Sequence, residues 1–209
     1  MTQKEMIKKQ YGSCSSRLID KECKTIDELK AKLENGLVLH ESKNSLSNYK
    51  LGLIKILIVG TMIPDDLFYF YFGENNYIYS WIDEKRGSDF NKRKEKIMRL
   101  VKLGKEKEAK AELVLFINKL TEEKIAFVDL FDITVHKENS SADRDIRYYS
   151  IDHALFNTIK EDKNLKIVAV SRLAECMLKE KLNIRKDVEY HQLFNGGSKA
   201  PYMALFERK

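Results

Sequence analysis

The chain contains few cysteines and no long apolar run, and each shortage excludes a class of protein. Its three cysteines, Cys14, Cys23 and Cys176, are too few for a four-cysteine iron–sulfur cluster and lack the paired spacing of a metal site. We expect them to be free thiols in a reducing compartment. No apolar stretch approaches the roughly 20 residues that a membrane-spanning helix requires. The N-terminus is polar and lacks the apolar core of a secretory signal, so we expect a cytoplasmic protein with no membrane partner.

Motifs typical of several enzyme classes are also missing. His136 and His153 stand outside any metal-ligand spacing such as His-x-x-x-His, so we predict no metal and no other cofactor. Gly60 and Gly73 form neither a Walker loop nor a dinucleotide fingerprint. Ser198 lacks the Gly-x-Ser-x-Gly context of a nucleophile elbow. These absences disfavour nucleoside triphosphatases, dinucleotide-dependent enzymes and serine hydrolases.

The overall composition is that of one globular domain with a basic surface. The chain has 209 residues, 43% of them apolar and 33% charged, and a net charge of +6. Many of its cations fall between Lys85 and Lys110, where acidic residues are interspersed. Lys92 and Arg93 in this segment are candidates for contacts with a nucleic-acid backbone. The alternative is that the segment is only the solvated face of a helical insertion.

The order of predicted elements indicates an α/β fold. Apolar β-branched runs predict buried strands over 53–60, 125–129 and 166–170, with further strand candidates over 188–194 and 202–206. Helices are predicted over 25–36, 76–83, 90–103, 106–120, 152–160 and 172–181. Residues 136–145 are predicted to be irregular. We therefore expect a three-layer sandwich with a central, mostly parallel sheet of four to five strands flanked by helices.

Ligands of such sheets bind beyond the carboxyl ends of the strands, which directs attention to the segments that follow them. These segments are Gly60–Asp66, Asp129–Thr134, Val170–Ser171 and the Gly-Gly-Ser loop after Phe194. Asp65 and Asp66 could orient a water molecule, although two aspartates after a proline are also typical of a helix cap or a solvated turn. Asp129 could act on a ligand or simply bond to loop amides.

An aromatic segment follows the first strand and its Gly/Pro turn. Phe68-Tyr-Phe-Tyr-Phe-Gly-Glu-Asn-Asn76 comes directly after the turn and is followed by Trp81. Such a segment can hold an extruded base, because a ring stacks on the base and an amide side chain reads its edge. The alternative is that alternate aromatic residues of this segment pack into the core.

Taken in order, these segments resemble the uracil-DNA glycosylase superfamily, and most closely its hypoxanthine (deoxyinosine) branch. Val59-Gly-Thr-Met-Ile-Pro64, Tyr71-Phe-Gly-Glu-Asn-Asn76 and Trp81 are similar to that family's Gly-Ser-Met-Pro, Tyr-Tyr and Asn-x-Phe-Trp elements. The segments from Ile125, from Ser140 to Ile146, from Ile167 to Ser171 and from Asn195 to Ala200 resemble later motifs in the same order. The resemblance covers residues 53 to 206.

The resemblance implies a hydrolase that extrudes uracil or hypoxanthine from DNA and cleaves its N-glycosidic bond with water, as a monomer without cofactor. It implies one domain over 1–209, with an N-terminal helical extension (1–50) and a basic helical insertion (85–120). The implied catalytic residues are Asp65, Asn76 and Asp129. The implied base-binding residues are Gly60, Thr61, Met62, Tyr71, Phe72 and Ser171. The loop residues Gly196, Gly197, Ser198 and Lys199 are the implied contacts with DNA, and Lys92 and Arg93, selected above from the charge pattern, complete the predicted DNA-binding set.

Two other functions agree with the same sequence. One is a catalytically inert protein of this fold that binds nucleic acid or another partner, since several motif residues depart from the family pattern. The other is an enzyme that acts on a free nucleoside through the same pocket.

Overall fold

The computed structural model of the chain describes residues 21–42, 44–61, 72, 77–138, 143–160, 162–184, 187–193 and 199–207. The strands are β1 (Leu37–Glu41), β2 (Ile56–Gly60), β3 (Ile125–Asp129), β4 (Ile133–Lys137), β5 (Ile146–Ser150), β6 (Lys166–Ala169) and β7 (Glu189–Tyr190). The α-helices are α1 (Ile26–Lys30), α2 (Ile78–Arg86), α3 (Phe90–Lys102), α4 (Glu106–Glu122), α5 (His153–Ile159), α6 (Arg172–Cys176) and α7 (Lys199–Leu205). A π-helical turn, Met177–Lys181, continues α6, and short 3-10 turns cover Leu46–Asn48, Leu51–Leu53 and Asp143–Asp145.

Four strands form a parallel sheet in the order β3-β2-β6-β7. β2 occupies an inner position because it pairs in parallel with β3 on one side and with β6 on the other. Every residue of β2 and β3 is buried, as expected of strands covered on both faces. Helix α4 packs against β3, and α6 packs against β6. The predicted α/β class and the four-stranded parallel sheet flanked by helices are therefore confirmed.

A second sheet, which is antiparallel and has the order β1-β4-β5, was not predicted. The sequence indicated an irregular segment over 136–145, whereas β4 extends to Lys137 and β5 begins at Ile146. The predicted irregular segment is wrong only at His136 and Lys137, and the rest of β4 was not predicted at all. The strand was missed because the side chains of Thr134 and His136 are polar and yet only 1% and 2% exposed. β4 therefore lacks the polar-out, apolar-in alternation by which a half-buried strand is normally detected.

The C-terminal strand prediction was also wrong. Residues 199–205 form α7, and Tyr202 in this helix and Phe206 directly after it are fully buried. Their spacing of four residues fits a helix face as well as it fits an alternating strand. The strand predicted over 188–194 is reduced to the two residues of β7.

Local capping explains where two of the helices begin. Thr25 Oγ1 accepts a hydrogen bond from the amide of Glu28 at 3.2 Å, and Glu28 Oε2 accepts one from the amide of Lys24 at 2.7 Å. Ser171 Oγ accepts from the amide of Ala174 at 3.1 Å and so starts α6. Both caps agree with the sequence prediction.

Candidate active site

The candidate site lies at the carboxyl ends of the parallel strands. Gly60, the last residue of β2, is paired with Asp129, the last residue of β3. On the other side of β2, Val59 is paired with Ala169 at the end of β6, and Ser171 follows two residues later. The sheet thus brings together three of the four segments that the carboxyl-end rule selected.

Asp129 is held by two residues from the chain segment that follows β1. Ser42 Oγ and Asn44 Nδ2 donate hydrogen bonds to Asp129 Oδ2 at 2.6 and 2.9 Å. The backbone amide of Asp129 donates to the carbonyl oxygen of Asn44 at 3.0 Å. We call Ser42, Asn44 and Asp129 the Asp129 cluster.

The charge of Asp129 is sensitive to pH in the physiological range. Its side chain is 4% exposed, and burial raises the pKa of its carboxyl group to about 6, although the hydrogen bonds from Ser42 and Asn44 act to lower it. Its second oxygen, Oδ1, accepts no hydrogen bond from the described residues. A carboxylate with such a pKa is ionised at neutral pH and is a stronger base than an ordinary aspartate.

A second carboxyl group joins the ends of β2 and β6. Thr61 Oγ1 donates a hydrogen bond to Asp143 Oδ1 at 2.5 Å, and Ser171 also hydrogen-bonds to Asp143. Burial raises the pKa of Asp143, while these two hydrogen bonds act in the opposite direction. We call Thr61, Asp143 and Ser171 the Asp143 cluster.

The antiparallel sheet turns a polar face towards the main core. His40 is paired with Thr134, and Val38 with His136, so these side chains lie on one face. The amide of Ser42 donates to the carbonyl of Asp132 at 2.7 Å, which extends the same register by one pair. We call His40, Ser42, Asp132, Thr134 and His136 the inner face of this sheet.

The orientation of the inner face follows from its contacts. Ser42 reaches Asp129, and Tyr149, which is paired with Thr134, packs on Phe131 of the main core with ring centroids 4.5 Å apart. The opposite face of the sheet contributes to a separate apolar cluster with Cys23 and Leu29. Ile146, which is paired with His136, directly follows the turn Asp143–Asp145, so the His136 end of β4 is connected along the chain to the Asp143 cluster.

Two further features of the inner face are relevant to ligand binding. The rings of His40 and His136 meet edge to face with centroids 6.0 Å apart. Burial and the nearby carboxylate of Asp152 raise the pKa of Asp132 to about 6. The face therefore carries imidazole, hydroxyl and carboxyl groups, with Thr134 and His136 buried, where the inner face of a sheet would ordinarily carry apolar side chains.

The residues predicted to form the base-binding pocket and the DNA-contacting loop fall into three groups. Gly60, Thr61, Asp129 and Ser171 come together at the strand ends, as described above. Phe72 does not join them, because it is 1% exposed and packs edge to face on Tyr79 and Phe116. In this structure the Phe72 ring is part of the core and is not a stacking surface for a base. The remaining pocket and loop predictions lie outside the described residues: Met62, Asp65, Tyr71, Asn76, Gly196, Gly197 and Ser198.

The predicted DNA-binding cations lie on two helices: Lys92 and Arg93 on α3 of the helical insertion, and Lys199 on α7. Lys92 and Arg93 line a groove of about 500 Å³, together with Asp89, Glu95, Lys96, Arg99 and Glu112. Arg93 forms an ion pair with Asp89 at 2.8 Å and, with Lys119, lowers the pKa of Asp89 to about 2. Lys96 pairs with Glu112 at 2.5 Å. Lys199, on α7, pairs with Glu84 at 2.5 Å.

Ser42, Asn44 and Asp143 were not predicted as site residues. Asp143 could have been found, because it belongs to the Ser140–Ile146 segment that carries part of the family resemblance. Ser42 and Asn44 precede the region of resemblance and stand in a polar segment with no distinctive motif. Only the pairing of β1 with β4 places them beside Asp129.

Comparisons of the chain with protein-family models, with curated proteins and with solved structures gave no match. Within the part of the chain that the structure describes, no helix combines the length and apolar character that crossing a bilayer requires.

Proposed function

We propose that the protein is a DNA glycosylase-like hydrolase that removes uracil or hypoxanthine by cleaving the N-glycosidic bond with water. The observation that carries the proposal is the Asp143 cluster. Thr61, Asp143 and Ser171 come from three separate segments of the family resemblance, and their side chains are joined by hydrogen bonds at the carboxyl end of the sheet. The parallel sheet by itself brings Thr61 and Ser171 together at the ends of β2 and β6. The arrival of Asp143, from the turn before β5 of the other sheet, is the part of this convergence that supports a shared pocket.

In the proposed mechanism the extruded base lies at the turn that begins with Gly60 and Thr61. Asp129 accepts a proton from a water molecule, whose oxygen forms a bond to the sugar C1′ carbon as the bond from C1′ to the base nitrogen breaks. The electron pair of that bond leaves with the base. Asp129 suits this role because its pKa of about 6 leaves it ionised at neutral pH. Asp143 holds Thr61 and Ser171 in place at the ends of β2 and β6, whereas Asp129 lies at the end of β3.

The same proposal includes the finer features of the fold and the approach of DNA. We propose a three-layer arrangement of helices on both faces of the parallel sheet, which would leave the strand ends as the accessible edge. The groove on α3 would contact the DNA backbone through its cations, with Lys92 and Arg93 as the residues first predicted. A single protein molecule would suffice, because every group named in this mechanism comes from one chain.

The groove on α3 also favours the second candidate function, a protein that binds nucleic acid without cleaving it. Its four cations, Lys92, Arg93, Lys96 and Arg99, line one groove independently of the carboxyl groups at the strand ends. Binding without catalysis would use this groove and leave the Asp129 cluster without a chemical role.

Cleavage of oligonucleotides distinguishes the two functions. The purified chain is incubated with labelled single- and double-stranded oligonucleotides containing one uracil or one hypoxanthine, and alkali then cuts any abasic site. We expect cleavage at the lesion, with loss of activity in Asp129→Asn and Asp143→Asn. Asp145→Asn is the matched control, because Asp145 belongs to the same 3-10 turn and lies 4.0 Å from Arg144. Salt-sensitive binding without cleavage would instead support the second function.

A further inference from the structure

Two buried oxygen atoms of the Asp129 cluster accept no hydrogen bond from the described residues. They are Asn44 Oδ1 and Asp129 Oδ1, and their side chains are 0% and 4% exposed. A buried acceptor without a donor costs free energy, so native proteins supply one from the chain, from a bound water or from a ligand. Two such atoms on adjacent side chains point to a donor that binds between or beside them.

The two side chains are already fixed relative to each other. Asn44 Nδ2 donates to Asp129 Oδ2 at 2.9 Å, and Ser42 Oγ donates to the same oxygen at 2.6 Å. The Asn44 amide therefore uses its donor group on Asp129 and turns its acceptor oxygen elsewhere. In the same way, Asp129 uses one oxygen for the cluster and keeps the other for a further partner.

We propose that Asn44 is a positioning residue of this site, and that Asn44 Oδ1 and Asp129 Oδ1 bind a small hydrogen-bond donor. The donor is the O–H of a water molecule or the ring N–H of a nucleobase. The catalytic role of Asn44 rests on the proposed function, but the presence of a bound donor at the two oxygen atoms does not. It also gives a role to the segment after β1, which lies outside the region of family resemblance.

The surroundings of Asp129 make the role of Asn44 measurable. Among the described residues, the only groups that hydrogen-bond to its carboxylate are Ser42 and Asn44, and no charged side chain near it shifts its pKa. Both hydrogen bonds act to lower that pKa. Removal of the Asn44 amide must therefore raise the pKa of Asp129, whereas a residue that only fills space would leave it unchanged.

The first test is a high-resolution crystal structure of the full chain. We expect an ordered water within hydrogen-bonding distance of both Oδ1 atoms, or its replacement by the base in crystals soaked with uracil or hypoxanthine. Soaks with 1,3-dimethyluracil, which has no ring N–H, separate the two donors, because only water can then donate to the Oδ1 atoms. Absence of any donor at both oxygens, with and without ligands, would overturn the proposal.

The second test measures the protonation of Asp129 directly. Carboxyl carbon NMR of the full chain, labelled on aspartate, is recorded against pH for the wild type, Asn44→Leu and Asn118→Leu, the last an identical change at an exposed position of α4. We expect a higher pKa of Asp129 only in Asn44→Leu, and an acidic limb of any cleavage activity shifted to higher pH. If Asn44→Leu does not fold, Ser42→Ala gives the same comparison for the other donor to Asp129, and the crystallographic test is unaffected.

The outcomes separate this inference from the proposed function. An ordered donor and a shifted Asp129 pKa in a chain that cleaves no oligonucleotide would leave the inference standing and refute the glycosylase proposal. Cleavage that is unchanged in rate and pH profile by Asn44→Leu would refute the positioning role of Asn44 and leave the glycosylase proposal standing.

Discussion

Thr61 and Asp143 share a hydrogen bond of 2.5 Å although 82 positions separate them along the chain. Thr61 follows the inner strand β2, and Asp143 stands in the turn before β5. Their bond therefore ties the parallel sheet to the antiparallel sheet. Ser171, which follows β6, hydrogen-bonds to the same carboxyl group, so one aspartate connects three segments.

This connection predicts that the two hydroxyl groups are energetically coupled. Thr61→Val and Ser171→Ala should each lower the free energy of unfolding by about 1 kcal/mol, since each removes one hydrogen bond to a partly buried carboxyl group. Their combined effect should differ from the sum by at least about 0.5 kcal/mol, because both act on Asp143. Urea denaturation of the two single variants and the double variant measures the difference.

Ser171 also caps α6, so the coupling experiment needs a control for the cap. Ser171→Thr retains a hydroxyl that can cap the helix and should restore most of the lost stability. Strictly additive effects of Thr61→Val and Ser171→Ala would show that Asp143 does not couple them.

Asp129 should lower the stability of the folded protein at neutral pH. Burial raises its pKa from 3.8 to about 6, so the folded state binds a proton more tightly than the unfolded state does. The stabilising effect of protonation is fully present below pH 4 and is lost as the pH rises through 6. A shift of this size corresponds to about 3 kcal/mol. We therefore expect Asp129→Asn to be more stable than the wild type at pH 7, by a few kcal/mol at most, while losing cleavage activity.

The measurement is thermal or chemical unfolding of both proteins between pH 4 and 8. The stability difference between Asp129→Asn and the wild type should grow across this range and level off above pH 7. A difference independent of pH would mean that the Asp129 carboxyl group has the same pKa in the folded and unfolded states. A stabilised but inactive variant would also favour a chemical over a structural role for Asp129.

The fold was predictable where apolar residues recur with the period of the element they form. β2 and β3 are continuous apolar runs and were found for that reason. α4 was also found, but the face predicted for it, Ala111, Val114, Leu115 and Asn118, is exposed, and its buried residues are Ala109, Phe116 and Leu120. β4 was missed because it buries the polar side chains of Thr134 and His136. The polar residues that break the apolar pattern of β4 lie on the same sheet face as Ser42, which donates a hydrogen bond to Asp129. Such exceptions to local sequence rules are expected at functional sites.

The candidate site was only partly predictable for a related reason. The carboxyl-end rule located Gly60, Asp129 and Ser171 because each directly follows or ends a recognisable strand. Ser42 and Asn44 reach Asp129 through the pairing of β1 with β4, across 87 and 85 positions of the chain. Contacts of this kind depend on tertiary pairing and leave no local signal in a single sequence.

The buried position of Phe72 predicts a large effect on stability. Its ring packs edge to face on Tyr79 and Phe116, with centroids 5.6 and 5.2 Å apart. Phe72→Ala should lower the free energy of unfolding by about 3–5 kcal/mol, because it removes a fully buried aromatic ring. Tyr77→Ala, at a side chain that is 60% exposed, should change it by less than about 0.5 kcal/mol.

Phe72→Leu then separates packing from base binding. This variant retains much of the buried volume, so it should fold and bind lesion-containing oligonucleotides with wild-type affinity. A selective loss of binding at unchanged stability would restore Phe72 to the role of a base-stacking residue, as the sequence first suggested.

The groove on α3 predicts which cations contact a nucleic-acid backbone. Arg93 and Lys96 are engaged with Asp89 and Glu112, whereas Lys92 and Arg99 form no ion pair with any described residue. The double variant Lys92→Gln/Arg99→Gln should therefore bind single-stranded DNA more weakly, whatever its sequence. The slope of log affinity against log salt should fall by about 1.4, at roughly 0.7 per phosphate contact.

Lys107→Gln/Lys110→Gln removes the same charge from exposed positions of α4 and should leave that slope nearly unchanged. Equal effects of the two double variants would mean that net charge, and not this groove, determines binding.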